Sequence, residues 1–229
     1  MKNAKIFFPF LTLQLFIVVW VQAQSNLTPV RLQVEYLAEP KGLDVRKPRF
    51  SWVLEPKNQS VFTGKQTAYR ILVGSSKQKK TGNSGDMWDS GWVGSDNMQL
   101  IEYKGKPLQS DKEYYWTVAV KDEKGNESSY GKLAKWSTGL FSQEEWTAKW
   151  IGTGEAYKPE EGPNKMQDPW FRKTFDLEVK PSKSILFVAS VGYHEVYVNG
   201  QKINDHVLAP AATDHTKRAR YIAYDIAPA

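Results

Sequence analysis

The chain contains no cysteine. Disulfide bridges are excluded, and the stability of the fold has to come from buried apolar surface. A strong excess of either charge is also missing: 31 basic residues stand against 25 acidic ones, a formal net charge of +6. Apart from Lys77, Lys79 and Lys80, and Lys217, Arg218 and Arg220, the basic residues are scattered. Scattered charge builds no groove that tracks phosphates, so no nucleic-acid partner is expected. Beyond residue 21 there is no apolar run of the length that crosses a bilayer, about 20 residues. Between residues 27 and 141 there is no sustained helical period either, which argues against a helical fold for that half.

What the chain does have is apolar and aromatic material. Its 229 residues are 41% hydrophobic and 13% aromatic, with nine Trp and eleven Tyr. That is enough for one large or two small domains with a substantial core. Aromatic residues at this density either fill a sandwich core or present stacking faces to flat ligands, and the count alone does not separate the two. The N-terminus has Lys2 and Lys5, an apolar run over residues 6–21 broken mainly by Gln14, and then Val21-Gln22-Ala23. This is the three-part layout of a secretory signal peptide, residues 1–23, cut after Ala23. An uncleaved anchor is the competing reading, and the run is short for a span. Removing Lys2 and Lys5 leaves 29 basic against 25 acidic residues, or +4. No cysteine follows the run to carry a lipid, so a secreted or periplasmic protein with no membrane span after signal cleavage is expected. Sequons at Asn26, Asn58 and Asn126 matter only where the source glycosylates them.

Residues 25–141 read as an all-β sandwich of the fibronectin III or immunoglobulin-like kind. Strands are expected at 30–36, 49–54, 67–75, 88–93, 99–103, 113–121 and 134–138, seven short segments separated by turn residues. In LQSDKEYYWTVAVKDEKGNES, residues 108–128, a period of two places Tyr114, Trp116, Val118 and Val120 on one face. Leu108 stands six residues before Tyr114, the spacing of a tyrosine corner, whose phenol bonds back to upstream backbone. Trp52, Trp88, Trp92 and Trp116 read as core rather than as a carbohydrate-stacking row, because three of them alternate with residues that must face solvent.

Residues 142–169 read as linker and loop. Ser142 is a plausible N-cap for one helical turn with Glu145 at N3, and Trp150-Ile151 reads as re-entering a sheet. The polar stretch 152–168 is long enough for a functional or mobile loop. Residues 170–229 then open a second β region. Trp170 to Phe175 reads as its first strand, and residues 185–189 as a strand covered on both faces. In GYHEVYVNGQKINDHVLAP, residues 192–210, Asn199-Gly200 supplies the two positive φ values of a type I′ turn, so Asn199 is a turn residue rather than a ligand.

These residues resemble a known family. WTAKWIG at 146–152, FRKTF at 171–175, GYHEVYVNGQKINDHVLAP at 192–210 and TDHTKRARYIAYDI at 213–226 are similar to the N-terminal region of bacterial α-L-rhamnosidases, glycoside hydrolase family 78. RFSW at 49–52 and YYWTVAVKD at 114–122 are similar to the fibronectin-like domain that often precedes it. The resemblance implies that 170–229 begins a second β-sandwich, jelly-roll and carbohydrate-binding-module-like, left incomplete in this chain. It further implies an (α/α)6 catalytic barrel in the intact protein. The activity implied is inverting hydrolysis of terminal rhamnose, with acid and base carboxylates about 6.5–9.5 Å apart. Where the family usually has Gly-Trp after the proline matching Pro210, this chain has Ala211-Ala212, which removes an aromatic surface.

The chain itself offers little chemistry. Glu144, Glu145, Glu160, Glu161, Glu195, Asp205, Asp214 and Asp225 sit in no acid/base motif, so no catalytic residue is assigned. His194, His206 and His215 lie within 22 residues, yet their spacings of twelve and nine fit no local zinc pattern. Calcium is the better metal candidate, because some carbohydrate-binding modules resembling the second region hold rhamnose through Ca²⁺. Asn204, Asp205 and the carbonyl around Pro210 are its candidate oxygen donors, with a turn cap as the alternative. Alternation in the hairpin leaves Tyr193 and Tyr197 on the outer face, and these two with Trp170 are the candidate sugar-stacking residues. Two functions follow as expectations. The first is a non-catalytic N-terminal portion of an exported α-L-rhamnosidase-like protein, a fragment or truncated product whose modules support or orient a catalytic barrel acting on rhamnose-containing glycans. The second is a free-standing carbohydrate-binding or surface adhesion module.

Overall fold

A computed structural model describes residues 24–58, 64–78, 84–154 and 169–227. The expected signal peptide and most of the polar loop lie outside them. In chain order the first half contains β1 (Leu27–Val34), β2 (Arg49–Pro56), β3 (Ala68–Gly74), β4 (Trp88–Asp89), β5 (Val93–Gly94), β6 (Ile101–Glu102), β7 (Glu113–Lys121) and β8 (Ala134–Ser137). After a 3-10 turn at Gln143–Glu145 come β9 (Ile185–Ser190), β10 (Tyr197–Val198), β11 (Gln201–Lys202) and β12 (Arg220–Asp225). The described residues contain no α-helix.

The first eight strands form the expected sandwich. One antiparallel sheet runs β1-β2-β6, and the other runs β4-β3-β7-β8 with β5 also on β3. Alternation turns Phe50 and Trp52 of the first sheet toward Tyr69, Ile71 and Val73 of β3 and toward Tyr114, Trp116, Val118 and Val120 of β7. Phe50 is the hub, its ring centroid 4.5 Å from that of Trp116 and 5.4 Å from that of Trp136. The indole N–H groups of Trp116 and Trp136 are buried with no acceptor among the described residues. Each such donor costs about 1–3 kcal/mol of desolvation, so these rings are held by apolar packing alone. Trp52 is also core, but its Nε1–H donates to Gln66 Oε1 at 3.0 Å. Trp88 lies against Phe50 and Tyr103, and Trp92 carries the Lys121 ammonium 4.6 Å above its ring. Trp52, Trp88 and Trp116 pack in or against the core as expected, whereas Trp92 is half-buried and lies outside the core cluster.

Tyr114 makes the corner that its spacing predicts: its hydroxyl accepts the Gln109 N–H at 2.9 Å. Ser142 and Glu145 form the reciprocal cap of the 3-10 turn. Several expectations need correction. The strand at 88–93 is broken into β4 and β5, because Gly91 at φ +60° turns the chain between them while both halves still pair with β3. Trp150 and Ile151 are exposed and enter no sheet. Trp170 to Phe175 forms no strand; this segment is exposed and hydrogen-bonds to no strand among the described residues.

In the second half β9 and β12 make an antiparallel ribbon, from Arg220 opposite Ser190 to Asp225 opposite Ile185. β9 is half-buried throughout rather than covered on both faces. One end of the ribbon is seated on the first sandwich. The Tyr221 hydroxyl accepts the Leu140 N–H at 3.1 Å and donates toward the Gly42 carbonyl at 3.5 Å. Glycine is required on both loops: a Cβ on Gly139 would lie 1.9 Å from the Tyr221 hydroxyl, and one on Gly42 would lie 2.4 Å from Ala223 Cβ. Trp146 from the linker closes the joint edge-on to Tyr221 and Phe187, with centroids 5.2 and 6.5 Å away. Lys41–Asp225 and Lys183–Asp111, each at 3.2 Å, flank it.

Replacing Tyr114 by Phe removes the acceptor for the Gln109 N–H and leaves the ring in place. Urea denaturation of the first sandwich is expected to show a loss of about 1 kcal/mol with an unchanged m-value.

Candidate functional site

The hairpin after β9 forms as its sequence predicts. Tyr197 pairs with Lys202 and Val198 with Gln201, and Asn199 and Gly200 take φ values of +51° and +80°. Period two then sorts the side chains. Tyr193, Glu195 and Tyr197 point outward, while His194, Val196 and Val198 are half-buried.

On the outward face Tyr193 is 57% exposed and Tyr197 is 51% exposed. Glu195 stands between them, accepting from the Tyr197 hydroxyl at 2.8 Å and pairing with the Lys202 ammonium. Lys202 and then Tyr197 hold the Glu195 carboxyl below its ordinary range. The result is a phenol, a carboxylate and an ammonium locked together on an open surface. Trp170 is 94% exposed and makes no ring contact with either tyrosine among the described residues. Two of the three candidate sugar-contacting aromatics therefore share a face, and the third stands apart.

On the inward face His194 is the organising side chain. The Ser190 hydroxyl donates to Gly192 O at 2.7 Å, so toward His194 Nδ1, also at 2.7 Å, it acts as acceptor. That places the imidazole proton on Nδ1, and Nε2 accepts from the Tyr224 hydroxyl at 2.9 Å. The His194 backbone N–H donates to Ala209 O at 2.8 Å. One residue thus ties the end of β9, strand β12 and the loop at 203–210 together. Burial holds the imidazole below its ordinary value of 6.5 and pushes the Tyr224 phenol up.

The candidate calcium donors belong to this same loop. Asn204 Oδ1 accepts the His206 N–H at 3.3 Å, and Asn204 Nδ2 meets His206 Nδ1 at 3.0 Å. Asn204 thus caps a turn onto His206. Asp205 is exposed, and Pro210 is buried behind a cis Ala209–Pro210 bond. The three histidines do not converge, and no group of three or more His, Asp or Glu side chains among the described residues is arranged to hold a metal ion. The paired acids Glu144 and Glu145 cap the 3-10 turn, with Glu145 Oε2 accepting from Ser110, Phe141 and Ser142. Sequence reasoning overlooked the part played by His194. Its place on the inward face of an alternating strand was the available signal.

Residues 29–142 match the family model for the Rha78A-like N-terminal immunoglobulin domain, and residues 179–229 match that for the α-L-rhamnosidase N-terminal domain. An α-L-rhamnosidase of Formosa agariphila is 30% identical over 99% of this chain, which covers 25% of that protein. An α-L-rhamnosidase structure from Dictyoglumus thermophilum aligns with a TM-score of 0.76 at 35% identity, over 88% of this chain and 23% of that one. The Streptomyces avermitilis α-L-rhamnosidase solved with L-rhamnose aligns with a TM-score of 0.51 at 28% identity, over 87% and 20%. The chain spans about a fifth to a quarter of the length of the curated relatives it matches.

The half-buried imidazole sets a pH dependence. Unfolded, His194 has its ordinary value of 6.5, and folded its value is lower. Its contribution to stability is therefore complete above pH 6.5 and is lost as pH falls through the folded value. Thermal melting of the ribbon region is expected to drop between pH 7.5 and 5.5, and the drop should shrink in His194→Gln. An equal drop in both proteins would place the titration elsewhere.

Proposed function

Because the chain carries the two N-terminal β domains of the α-L-rhamnosidase family, we propose that it is the non-catalytic, supporting portion of an exported α-L-rhamnosidase-like protein acting on rhamnose-containing glycans. The observation that carries this reading is the joint at Tyr221. There the first sandwich grips the ribbon of the second domain through a phenol, two glycines, an aromatic triad and two ion pairs. A first domain that fixes the pose of a second is built to orient what the second holds. Export rests on Lys2, Lys5 and the apolar run 6–21. Contact with sugar rests on the outward faces of Tyr193 and Tyr197.

Two measurements test the supporting role. The purified chain is expected to leave p-nitrophenyl α-L-rhamnopyranoside intact; turnover by the chain alone would end the non-catalytic reading. In Tyr221→Ala, limited proteolysis within 183–226 should speed up by about tenfold or more while the first sandwich keeps its melting transition. A cleavage rate unchanged from the parent chain would show that the joint orients nothing.

A further inference from the structure

The sandwich brings together basic residues that the sequence scatters. Arg46 and Lys47, from the loop before β2, face Lys104 and Lys106, from the loop after β6, across a cleft of about 380 Å³. Tyr103, Gly105, Pro107 and Leu108 complete its walls. That volume lies at the lower end of the range for small-ligand clefts, about 300–1,000 Å³.

Some cations of this domain are paired with a carboxylate, as in Arg49–Glu35, Arg70–Asp89 and Lys135–Glu113. Arg46 and Lys106 in the cleft are held differently. Lys106 Nζ donates to the Asp86 backbone carbonyl at 2.6 Å, while the Asp86 carboxylate is held by Ser75 N–H and hydroxyl. Arg46 donates to the Phe141 carbonyl at 3.0 Å and lies 4.8 Å over the Phe141 ring. Glu145 is close enough to feel the Arg46 charge, but its Oε2 is taken by Ser110, Phe141 and Ser142. Lys47 has a loose partner in exposed Glu102 at 3.9 Å. Neutral carbonyls thus orient Arg46 and Lys106 without cancelling them.

The loop between the lysines is also rigid. The buried Tyr103 hydroxyl donates to Lys106 O at 2.8 Å, and Lys106 N–H donates to Met87 O at 3.0 Å. A Cβ on Gly105 would stand within 2.6 Å of Met87 O, the Tyr103 hydroxyl and Trp88 Cβ, so only glycine lets the loop lie this close. A cationic rim already in place spares a ligand most of the ordering cost.

We infer that this cleft binds an acidic saccharide, the oxyanion of a sulfate ester or a uronate meeting Lys104, Lys106 and Arg46 while sugar C–H groups lie on Pro107. Exposed Pro107 gives the cleft an apolar patch that suits the C–H face of a pyranose ring. Choosing rhamnose-bearing glycans as the source of the acid rests on the proposed function.

Titration calorimetry of the full chain at low ionic strength tests it with five probes. They are a sulfated rhamno-oligosaccharide, a uronate-containing one, a neutral one, a sulfated oligosaccharide without rhamnose, and a single-stranded oligonucleotide. At least one acidic rhamno-oligosaccharide should bind, weakening by about tenfold or more in Lys104→Gln/Lys106→Gln, with no change in the distant Lys57→Gln control. Melting curves show that the variants stay folded. No binding of either acidic rhamno-oligosaccharide, undiminished binding in the double variant, or equally tight oligonucleotide binding overturns the inference. Neutral rhamno-oligosaccharide binding that survives in the double variant, with acidic probes gaining nothing, overturns the cleft and leaves the proposed function standing. Equal, lysine-dependent binding of the sulfated probe lacking rhamnose upholds the cleft and removes rhamnose as its source.

Discussion

The Tyr221 hydroxyl occupies a position that neighbouring side chains on either loop would fill. It can stand 1.9 Å from where a Gly139 Cβ would be only because that Cβ is absent. From there it accepts the Leu140 N–H, which would otherwise be left without this partner at the exit of the first sandwich. The register of β12 against β9 then follows: Tyr221 lies opposite Ala189 and Phe187 opposite Ala223, so both rings meet Trp146 on the sandwich side of the ribbon. Shifting the pairing by one residue would turn Tyr221 away, because side chains in a strand alternate faces. A two-stranded ribbon is marginal by itself in water, and packing against other structure is what makes it stable. Here that packing comes from loops of the first domain.

The first domain can serve as this anchor because its own core is closed. Phe50 reaches across to Trp116 and Trp136, and Gln66 at the core's edge is held by Trp52, Ser95 and Asn97. The loops at 40–43 and 139–141 are tied to the sandwich as well as to the ribbon. Leu43 N–H donates to Ser137 O, and Gly139 N–H donates to Leu43 O. A load placed on Gly42 or Gly139 is therefore passed to β8 and to the core behind it.

What could be read in the sequence was what is local. The period-two face of β7, the corner at Tyr114, the cap at Ser142 and the turn at Asn199-Gly200 each depend on residues within about six positions of one another, and all four are present. Trp170 to Phe175 was misread because an aromatic alternating segment becomes a strand only when another strand offers it hydrogen bonds, and none does among the described residues. The joint and the basic cleft were illegible for a related reason. Tyr221 meets Gly42 across 179 positions. Lys104 and Lys106 meet Arg46 and Lys47 only because β2 and β6 are neighbours in one sheet. Composition records such charges as scattered, and topology gathers them.

The second domain spends polar groups on its own architecture. Its half-buried histidine has both ring nitrogens engaged, one with Ser190 and one with Tyr224. Asn204 closes a turn onto His206, and Glu195 is held between Tyr197 and Lys202. A group committed to a hydrogen bond on each side must lose that bond before it can coordinate an ion or move a proton, and in a half-buried setting the loss leaves a polar partner unsatisfied. Reactivity and support thus compete for the same atoms. At His194, Asn204 and Glu195 those atoms hold the ribbon, the loop and the hairpin in place.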